Sequence, residues 1–491
     1  MPATEKSFAE TTRYDGRKIT AVALAFFILN IVLKIIFLDH NDIALDEPFT
    51  LFHSQKTLSG IFDLLKDENN PPLYFILMKG WTSLFGIGAF AARFPSLLFS
   101  AVSAVIIFFT GIRFWNFRTG CVASAIYSFS TFHMFYAHDA RVYSLFFLLA
   151  CLSFYFFLSL YSTPDSKGSL LWLIAINCLL LYAHFFGIIA IASQVACVLL
   201  LRTFRVTLLK PMALCTGALF LFFLPYLPVL FHRFQASTNN SSWIQSPIGS
   251  DLYTMVWRFS NAPVTTVLFL TLLFILVVGL ITKKIPVTKS TPEHTKAVLL
   301  LFILPYLSTF LISFHIPVFL DRYLIFLSLF YYLAVAVAAD LLAPKNKAGW
   351  LILFVPVALM VFTMKLNPDK KRNVRELVET IRPVMNAKTA IYIYPEWFDL
   401  NFVYYYRPEW FREPGRTKLK LAEAGIFPVL NKQQIDTSQL KSFHEVYLID
   451  ASGSPGAENN PIAPTLQFFF PEKDISEIYE HLYLIHFTRP E

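Results

Sequence analysis

Apolar stretches recur along most of this chain, and they limit its fold more than any other feature. A helix needs about 20 apolar residues to cross the hydrocarbon core of a bilayer. Only 15% of the 491 residues are charged, whereas soluble proteins carry about a quarter. The chain is therefore predicted to form an all-α polytopic membrane domain with about eleven transmembrane helices. Their predicted positions are residues 19–38, 90–112, 119–137, 141–161, 169–184, 186–202, 211–231, 263–282, 297–315, 322–343 and 349–366.

The net charge of the chain is +8, which raises the question of a nucleic-acid partner. Its Lys and Arg residues, however, lie in short loops between the apolar stretches, as expected for cytoplasmic loops of a membrane protein. We therefore expect membrane lipids, and not nucleic acid, as partners. The five Cys all lie inside apolar stretches, so neither a disulfide framework nor a CxxC metal site is predicted.

The basic loops also predict the orientation of the chain. They fall on one side of the membrane only if residues 72–86 do not span it, and this segment is short for a span. We predict a juxtamembrane or re-entrant helix there, in the first outer loop, and a cytoplasmic N-terminus. Residues 1–18 are polar and the stretch after them is long enough to remain as a helix, so no cleavable signal peptide is expected. The segments then predicted to face outward are 39–89, 133–141, 182–187, 232–262 and 315–323.

The composition changes after about residue 367. Residues 372–385 have the pattern of an amphipathic helix. Strands are predicted at residues 390–394, 445–449 and 483–486. Roughly 125 residues are enough for a small domain. We therefore predict a transmembrane domain and a small extracytoplasmic α/β domain, with boundaries at 1–366 and 367–491.

Two adjacent carboxylates, Asp46 and Glu47, follow the first apolar stretch and directly precede Pro48. Asp and Pro are common at helix starts, so one interpretation is that the pair begins a helix or lies solvated in a loop. The other interpretation is catalytic, because a partly desolvated carboxylate beside a like charge can act as a general base for a hydroxyl or an amine. The residues alone leave both interpretations open.

A second motif, NPPLY at residues 70–74, follows in the same loop. Pro is ordinary at the first helical position, so the motif predicts a rigid helix start. A helix start also presents free N–H groups and a partial positive charge, on which an anionic head group can dock. The motif is compatible with either role.

Four cations lie at or near the predicted outer boundary, namely Lys79, Arg93, Arg141 and Arg322. Each can extend towards lipid head groups, which is the usual role of an isolated Arg at the end of a span. Few cations are expected on the outer side, however, and the fork of Arg suits a phosphate group. We therefore predict that these cations line a phosphate-binding cavity on that side.

His138, Asp139 and His184 are further outer polar residues, and with His133 they raise the question of a metal site. Their spacing does not match a metal-binding motif. No metal site and no cofactor are predicted; a divalent metal is chemically compatible with these residues but is not indicated by them. Gly-rich phosphate loops and Ser/His/Asp nucleophile motifs are absent from the sequence.

Six motifs, in this order, resemble the GT-C superfamily of membrane glycosyltransferases. The resemblance is to the protein O-mannosyltransferase and aminoarabinose transferase branch, often called family 39, and it covers most of residues 40–330. The motifs are LDE at 45–47, NPPLY at 70–74, ARFPSL at 92–97, YAHDAR at 136–141, YAHFFG at 182–187 and PVFLDRY at 317–323.

The resemblance implies an activity. Such enzymes take a sugar from a polyprenyl-phosphate donor and transfer it, with inversion, to a lipid, glycan or protein acceptor at the outer face of the membrane. The chain is accordingly expected to be an inverting, mannosyltransferase-like enzyme of cell-envelope glycosylation, integral to a bacterial plasma membrane.

The resemblance also implies roles for individual residues. Asp46 matches the first acid of the family's pair and would be the base, while Glu47 would support it or position the sugar or the acceptor. The arginines become candidates for the donor phosphate or for an ion-pair network. The candidate substrate-binding residues are Asn70, Tyr74, Lys79, Arg93, His138, Asp139, Arg141, His184, Arg322 and Tyr323.

Two positions depart from the family pattern. Asn70 stands where relatives often carry His or Lys, which puts a direct charge contact from this position in doubt. Asp139 replaces the more usual Glu, so its carboxylate has a shorter reach.

A transporter or flippase of lipid-linked sugars is the alternative function, since it too would use outer arginines and acids in a cavity. It predicts functional charges on the cytoplasmic side as well, and inverted repeats or broken helices in both halves, which the sequence does not show. A non-catalytic scaffold whose C-terminal domain binds a partner is a third interpretation. It leaves the clustering of acids and arginines unexplained.

Overall fold

Helices make up most of the computed structural model, which describes residues 15–68, 70–238, 244–282, 291–368, 372–454 and 459–490. The helices before residue 369 are α1 (Gly16–Ile35), α2 (Glu47–Ser54), α3 (Leu58–Leu65), α4 (Leu73–Phe85), α5 (Ala89–Phe114), α6 (Phe117–Ser128), α7 (Thr131–Ala137), α8 (Tyr143–Ser162), α9 (Lys167–Ala183), α10 (Gly187–Leu200), α11 (Arg202–Phe223), α12 (Leu227–Thr238), α13 (Gly249–Phe259), α14 (Pro263–Thr282), α15 (Thr291–Ile312), α16 (Leu327–Leu342) and α17 (Gly349–Thr363). A 3-10 turn at Leu224–Tyr226 joins α11 to α12.

Ten apolar helices in the described part of the chain correspond to ten of the predicted spans. Six are long and apolar enough to cross a membrane, at Gly16–Ile35, Ala89–Phe114, Tyr143–Ser162, Arg202–Arg233, Pro263–Thr282 and Pro292–Ile312. Four are shorter, at Lys167–Ala183, Gly187–Leu200, Leu327–Leu342 and Gly349–Thr363. The predicted polytopic helical fold is confirmed. The segment predicted at residues 72–86 is α4, whose 13 residues are too few for a span.

The eleventh predicted span, residues 119–137, is not one helix. It is divided into α6 and α7 at Phe129 and Ser130. Ser130 has an extended backbone, and its side chain accepts a hydrogen bond from the N–H of His133, which starts α7. The interruption escaped the sequence prediction because one Ser hardly lowers the hydropathy of an apolar stretch.

A buried polar network joins α1 to its neighbours. The Nζ of Lys34 donates to Oδ1 of Asn30 at 2.6 Å and to Oγ of Ser100 at 2.7 Å. Asn30 in turn donates to Oγ of Ser128 at 2.8 Å, and the hydroxyl groups of Ser100 and Tyr127 lie 2.7 Å apart. An ammonium group inside an apolar bundle needs such partners, because an unsatisfied one would be costly there.

The C-terminal part forms a five-stranded sheet with short helices. The strands are β1 (Thr389–Tyr394), β2 (Ile426–Pro428), β3 (Glu445–Asp450), β4 (Glu472–Tyr479) and β5 (Leu482–Thr488), in the order β2-β1-β3-β5-β4. The pairs β1–β2 and β1–β3 are parallel, whereas β3–β5 and β4–β5 are antiparallel. The helices are α18 (Val374–Ile381), α19 (Asp399–Tyr406), α20 (Pro408–Phe411), α21 (Thr417–Glu423), α22 (Thr437–Leu440) and α23 (Ala463–Phe469). Single 3-10 turns lie at Arg382–Val384, Glu396–Phe398 and Lys432–Gln434.

The predicted α/β fold of this part is confirmed, with two strands added. The three predicted strands are β1, β3 and β5, and the predicted amphipathic helix is α18 with the turn that follows it. The sequence prediction missed β2, which has three residues, and β4, which is charged and mostly exposed because it forms an edge of the sheet.

The described residues form two compact units. The helical unit takes its residues from Met1–Phe37, Phe62–Tyr74 and Arg93–Pro368. The sheet unit takes its residues from Leu38–Ile61, Phe75–Ala92 and Asp369–Glu491. The division after Pro368 lies next to the predicted boundary at 366/367, but the sheet unit also includes α2 and most of α4 from the first loop. The two functional domains at 1–366 and 367–491 stay a prediction.

Candidate active site

The acid pair lies at the start of α2, in the sheet unit. Glu47 is the first helical residue and Pro48 the second, a position where a Pro is well tolerated. Asp46 occupies the N-cap position, but its side chain makes no capping hydrogen bond. Asp46 is exposed, whereas Glu47 is only 4% exposed. A capping role for the Asp46 side chain is therefore not supported, and Asp46 is the more accessible acid of the pair.

The backbone directly before the acid pair is strained. Leu45 has a φ of +57°, in the left-handed region that bulky side chains rarely adopt. Such a conformation costs roughly 1–3 kcal/mol and persists only where the surrounding structure fixes it. Strained residues of this kind concentrate at active sites. The strain supports a functional role for the turn that presents Asp46.

Two residues far along the chain contact this turn. The Oη of Tyr405 accepts a hydrogen bond from the backbone N–H of Ile43 at 2.6 Å, and Nδ2 of Asn401 donates to the carbonyl O of Leu45 at 3.3 Å. Asn401 and Tyr405 both belong to α19. The sequence prediction missed them, because no local pattern marks contacts between residues 362 and 356 positions apart.

Lys79 of α4 contacts the end of α2. Its Nζ donates to the carbonyl O of Lys56 at 2.7 Å, two residues beyond the last helical residue, Ser54. A cation at this end of a helix interacts favourably with the partial negative charge of the last carbonyl groups. The contact gives Lys79 a structural role, and a role in substrate binding stays a prediction.

His53, on α2, does not compete with Asp46 as a base. Its ring makes edge-on contacts with Phe49 and Phe52, whose ring centroids are 4.4 and 5.1 Å away. Burial, with a contribution from the charge of Lys56, lowers the pKa of His53 to about 3. A neutral imidazole of such low pKa is a weak proton acceptor at neutral pH.

In the helical unit, the structure brings Asn70 and Arg141 together. The Nη2 of Arg141 is 3.5 Å from Oδ1 of Asn70. The hydroxyl of Ser96 lies 3.3 Å from Oη of Tyr74 and donates to the carbonyl O of Arg141 at 3.4 Å. Tyr74 is 2% exposed and Arg93 is 0% exposed. In this conformation neither side chain is accessible to a ligand, and a role of Arg93 or Tyr74 in substrate binding stays a prediction.

Arg141 and Arg322 both act on His184. The imidazole of His184 stacks on Phe146, with centroids 4.8 Å apart, and its centroid is 5.3 Å from that of Tyr323. Burial, together with the positive charges of Arg141 and Arg322, lowers the pKa of His184 to about 3. His184 therefore stays neutral while two guanidinium groups lie near it. Such a concentration of positive charge suits a phosphate group.

Asp321 fixes the backbone beside Arg322. It forms a salt bridge with Arg258, and its Oδ1 accepts a hydrogen bond from the N–H of Arg322 at 2.7 Å. Tyr136 also donates to Oδ1, at 3.4 Å. The sequence prediction did not include Arg258. The one feature that could have marked it is its positive charge in a segment predicted to face outward.

His138 and Asp139 are largely buried, with 1% and 8% of their surfaces exposed. The Nε2 of His138 lies 2.7 Å from the carbonyl O of Lys34, a contact that holds the segment leading to Arg141. Within the described ranges, no group of three or more His, Cys, Asp or Glu side chains is arranged to hold a metal ion. The expectation that neither a metal nor a cofactor takes part stays a prediction.

Asp399, the first residue of α19, makes the stability of this helix depend on pH. Burial, with a contribution from the charge of Glu396, raises the pKa of Asp399 from 3.8 to about 6. As the pH rises from about 4 to about 6, the unfolded chain loses this proton while the folded protein keeps it. The contribution of Asp399 to the free energy of unfolding is therefore fully present below about pH 4 and is lost as the pH rises to about 6.

We expect Asp399→Asn to stabilise the protein by about 2–3 kcal/mol at neutral pH, because the amide stays neutral where the carboxylate must be buried charged. At about pH 4 the gain should nearly vanish. Thermal unfolding in detergent at both pH values measures this. An equal gain at the two pH values would contradict the burial of an ionisable Asp399.

This fold is similar to the folds of ArnT and of an archaeal oligosaccharyltransferase. ArnT from Cupriavidus metallidurans in the apo state matches with a TM-score of 0.60 at 12% identity, over 95% of this chain and 98% of ArnT. ArnT bound to undecaprenyl phosphate matches with a TM-score of 0.60, also at 12% identity, over 95% and 97% of the two chains. The oligosaccharyltransferase of Archaeoglobus fulgidus, in complex with Zn and sulfate, matches with a TM-score of 0.56 at 9% identity, over 87% of this chain and 68% of that protein.

The sequence itself matches a known family over the part of the chain that contains the motifs from NPPLY at residues 70–74 to YAHFFG at residues 182–187. Residues 69–232 match the family model described as dolichyl-phosphate-mannose-protein mannosyltransferase. No curated protein sequence matches the chain. The predicted resemblance to GT-C superfamily glycosyltransferases is confirmed.

Proposed function

We propose that this protein is an inverting glycosyltransferase that moves a sugar from a polyprenyl-phosphate donor to an acceptor at the extracytoplasmic face of a membrane. The observation that carries the proposal is the exposed Asp46, which follows the strained Leu45 in a chain with the GT-C fold. The bound undecaprenyl phosphate of ArnT and the dolichyl phosphate mannose in the family description support a donor of this class.

In the proposed reaction, Asp46 accepts the proton of the acceptor's hydroxyl or amino group. The acceptor atom bonds to the anomeric carbon of the sugar while the bond from that carbon to the phosphate oxygen breaks. Attack from the side opposite the phosphate inverts the configuration at the anomeric carbon. The polyprenyl phosphate departs as a stable anion, so no strong general acid is needed. Glu47 supports Asp46 or positions the sugar or the acceptor.

Arg141 and Arg322 are the residues we assign to the donor phosphate. The positive charges of both contribute to the lowered pKa of His184, and Tyr323, the residue after Arg322, packs near this ring. A guanidinium group can donate two parallel hydrogen bonds to phosphate. Cations that are already in place stabilise the negative charge that develops on the leaving phosphate. Asn70, which contacts Arg141, and Tyr323, which packs on His184, are proposed to complete this region.

The proposed location is a bacterial plasma membrane, with the N-terminus in the cytoplasm and the C-terminal domain outside. The basic loops between the apolar helices support this orientation, because cytoplasmic loops carry the excess of Lys and Arg. The acceptor is proposed to be a lipid, glycan or protein of the cell envelope, since transfer takes place on that side.

The test is to incubate the purified protein in lipid vesicles with polyprenyl phosphates that carry radiolabelled hexoses or pentoses, and with candidate acceptors. We expect the label to appear in an acceptor, with an equal amount of polyprenyl phosphate released. A flippase would instead move the labelled lipid across the bilayer with its sugar–phosphate bond intact. Failure to bind any of the polyprenyl-phosphate sugars would contradict the proposed class of donor.

A further inference from the structure

Two helices of the sheet unit, α18 and α19, contact the turn before Asp46. The backbone N–H of Arg375, at the start of α18, donates to Oδ2 of Asp42 at 3.0 Å, and its Nε lies 3.8 Å from Oδ1 of the same carboxylate. The hydroxyl of Tyr405 accepts from Ile43, and the amide of Asn401 donates to Leu45, as described above. The turn is thus contacted at three of its four residues from 42 to 45.

The two contacts from α19 act as a pair. Asn401 and Tyr405 are four residues apart, so they project from one face of the helix. Asn401 is 1% exposed. Their targets are backbone atoms, and the targets lie on either side of Ala44. A helix face that binds the backbone at two such points fixes the path of the chain between them.

The path of the chain matters because of Leu45. Its left-handed φ is an unfavourable conformation that relaxes unless its neighbours are held. Asp46 is the next residue, so rotation about the Leu45 backbone changes the direction in which the Asp46 carboxylate points. Contacts that hold Ile43 and Leu45 therefore hold Asp46 indirectly.

We infer that α19 of the C-terminal domain positions the catalytic turn, with Tyr405 and Asn401 as positioning residues for Asp46. This inference rests on the proposed function, since it assumes that Asp46 is the base. It gives the C-terminal domain a part in catalysis that requires no contact between α19 and the substrate.

The neighbouring Tyr404 provides a matched control. Its hydroxyl donates to the carbonyl O of Ile87 at 2.7 Å, a residue of the same sheet unit that lies outside the turn at residues 42–45. Tyr404→Phe and Tyr405→Phe each remove one hydroxyl group from the same helix. A general loosening of α19 would affect both variants, whereas loss of the turn's support would affect Tyr405→Phe alone.

We expect Tyr405→Phe to lower kcat roughly tenfold, because it leaves the N–H of Ile43 without its acceptor and lets the strained turn relax. The KM for the donor should stay within about twofold, since donor binding is assigned to other residues. Hydrogen exchange of the peptide that contains residues 42–47 should become faster. Tyr404→Phe should match the wild type in kcat and in the exchange of this peptide.

Equal kcat values for Tyr405→Phe and Tyr404→Phe would overturn the inference, and so would a lower kcat without faster exchange at residues 42–47. If Tyr405→Phe does not fold, Asn401→Leu, which removes the donor to Leu45 at similar volume, gives the same test. Asp46→Asn separates the two proposals. Full activity of Asp46→Asn would reject the proposed base, whereas an inactive Asp46→Asn beside a fully active Tyr405→Phe would reject the positioning role alone.

Discussion

Asp46→Asn is expected to lower kcat by about 10³-fold, within the range that removal of a general base produces. The amide has nearly the same size as the carboxylate but cannot accept the acceptor's proton at neutral pH. Because Asp46 is exposed and the amide is nearly the same size, the substitution should leave folding unchanged. The measurement is the initial rate of sugar transfer at saturating donor, together with the thermal unfolding temperature in detergent.

Asp39→Asn is the matched control for this prediction. Asp39 is also an exposed carboxylate of the sheet unit, seven residues before Asp46 in the chain. The Asp39→Asn variant should transfer sugar at the wild-type rate. A transfer rate of Asp46→Asn close to wild type would remove Asp46 from the chemistry, and an equal loss in both variants would show that the effect reflects surface charge and not a base.

Arg322→Gln is expected to weaken donor binding by about 30- to 100-fold, the effect of losing hydrogen bonds between a charged donor and phosphate. The loss should appear with polyprenyl phosphate alone, without a sugar, because the phosphate is the group that Arg322 is assigned to bind. Arg322→Lys should recover only part of the affinity, since an ammonium group keeps the charge but lacks the paired donors of guanidinium. Titration of the purified variants with undecaprenyl phosphate gives the Kd values.

Arg113→Gln serves as the control for the loss of a positive charge. Arg113 lies in the last turn of α5, is exposed and donates to Tyr155. Its Kd should equal that of the wild type. If Arg322→Gln also keeps the wild-type Kd, the assignment of Arg322 to the phosphate is wrong, and Arg141 alone remains as its candidate.

The helical membrane fold could be predicted because a span in lipid requires a long apolar stretch, which composition records directly. The prediction erred at residues 119–137, where Ser130 starts a new helix by a single hydrogen bond that hydropathy cannot reveal. It missed β4 for a related reason. An edge strand carries charged residues to avoid pairing with other chains, so it lacks the alternating apolar pattern.

The candidate site was predictable in part. Asp46 and Glu47 stand out because adjacent carboxylates are unusual beside an apolar stretch. Nothing in the sequence indicates the left-handed backbone conformation of Leu45, since Leu rarely adopts this conformation. The contacts from Asn401 and Tyr405 join residues more than 350 positions apart, which a single sequence does not relate. Burial distinguishes Arg93 and Arg141, which are 0% and 7% exposed, from the less buried Arg322, and the sequence had no means to make this distinction.

In the proposed mechanism, Asp46 activates the acceptor while other residues hold the donor. The most direct measurement is a single-turnover experiment with wild type and Asp46→Asn, both loaded beforehand with a radiolabelled polyprenyl-phosphate sugar and then mixed with acceptor. We expect both proteins to bind the donor equally, and only the wild type to pass the label to the acceptor at a measurable rate. Equal transfer from the two loaded proteins would contradict the assignment of Asp46 as the base.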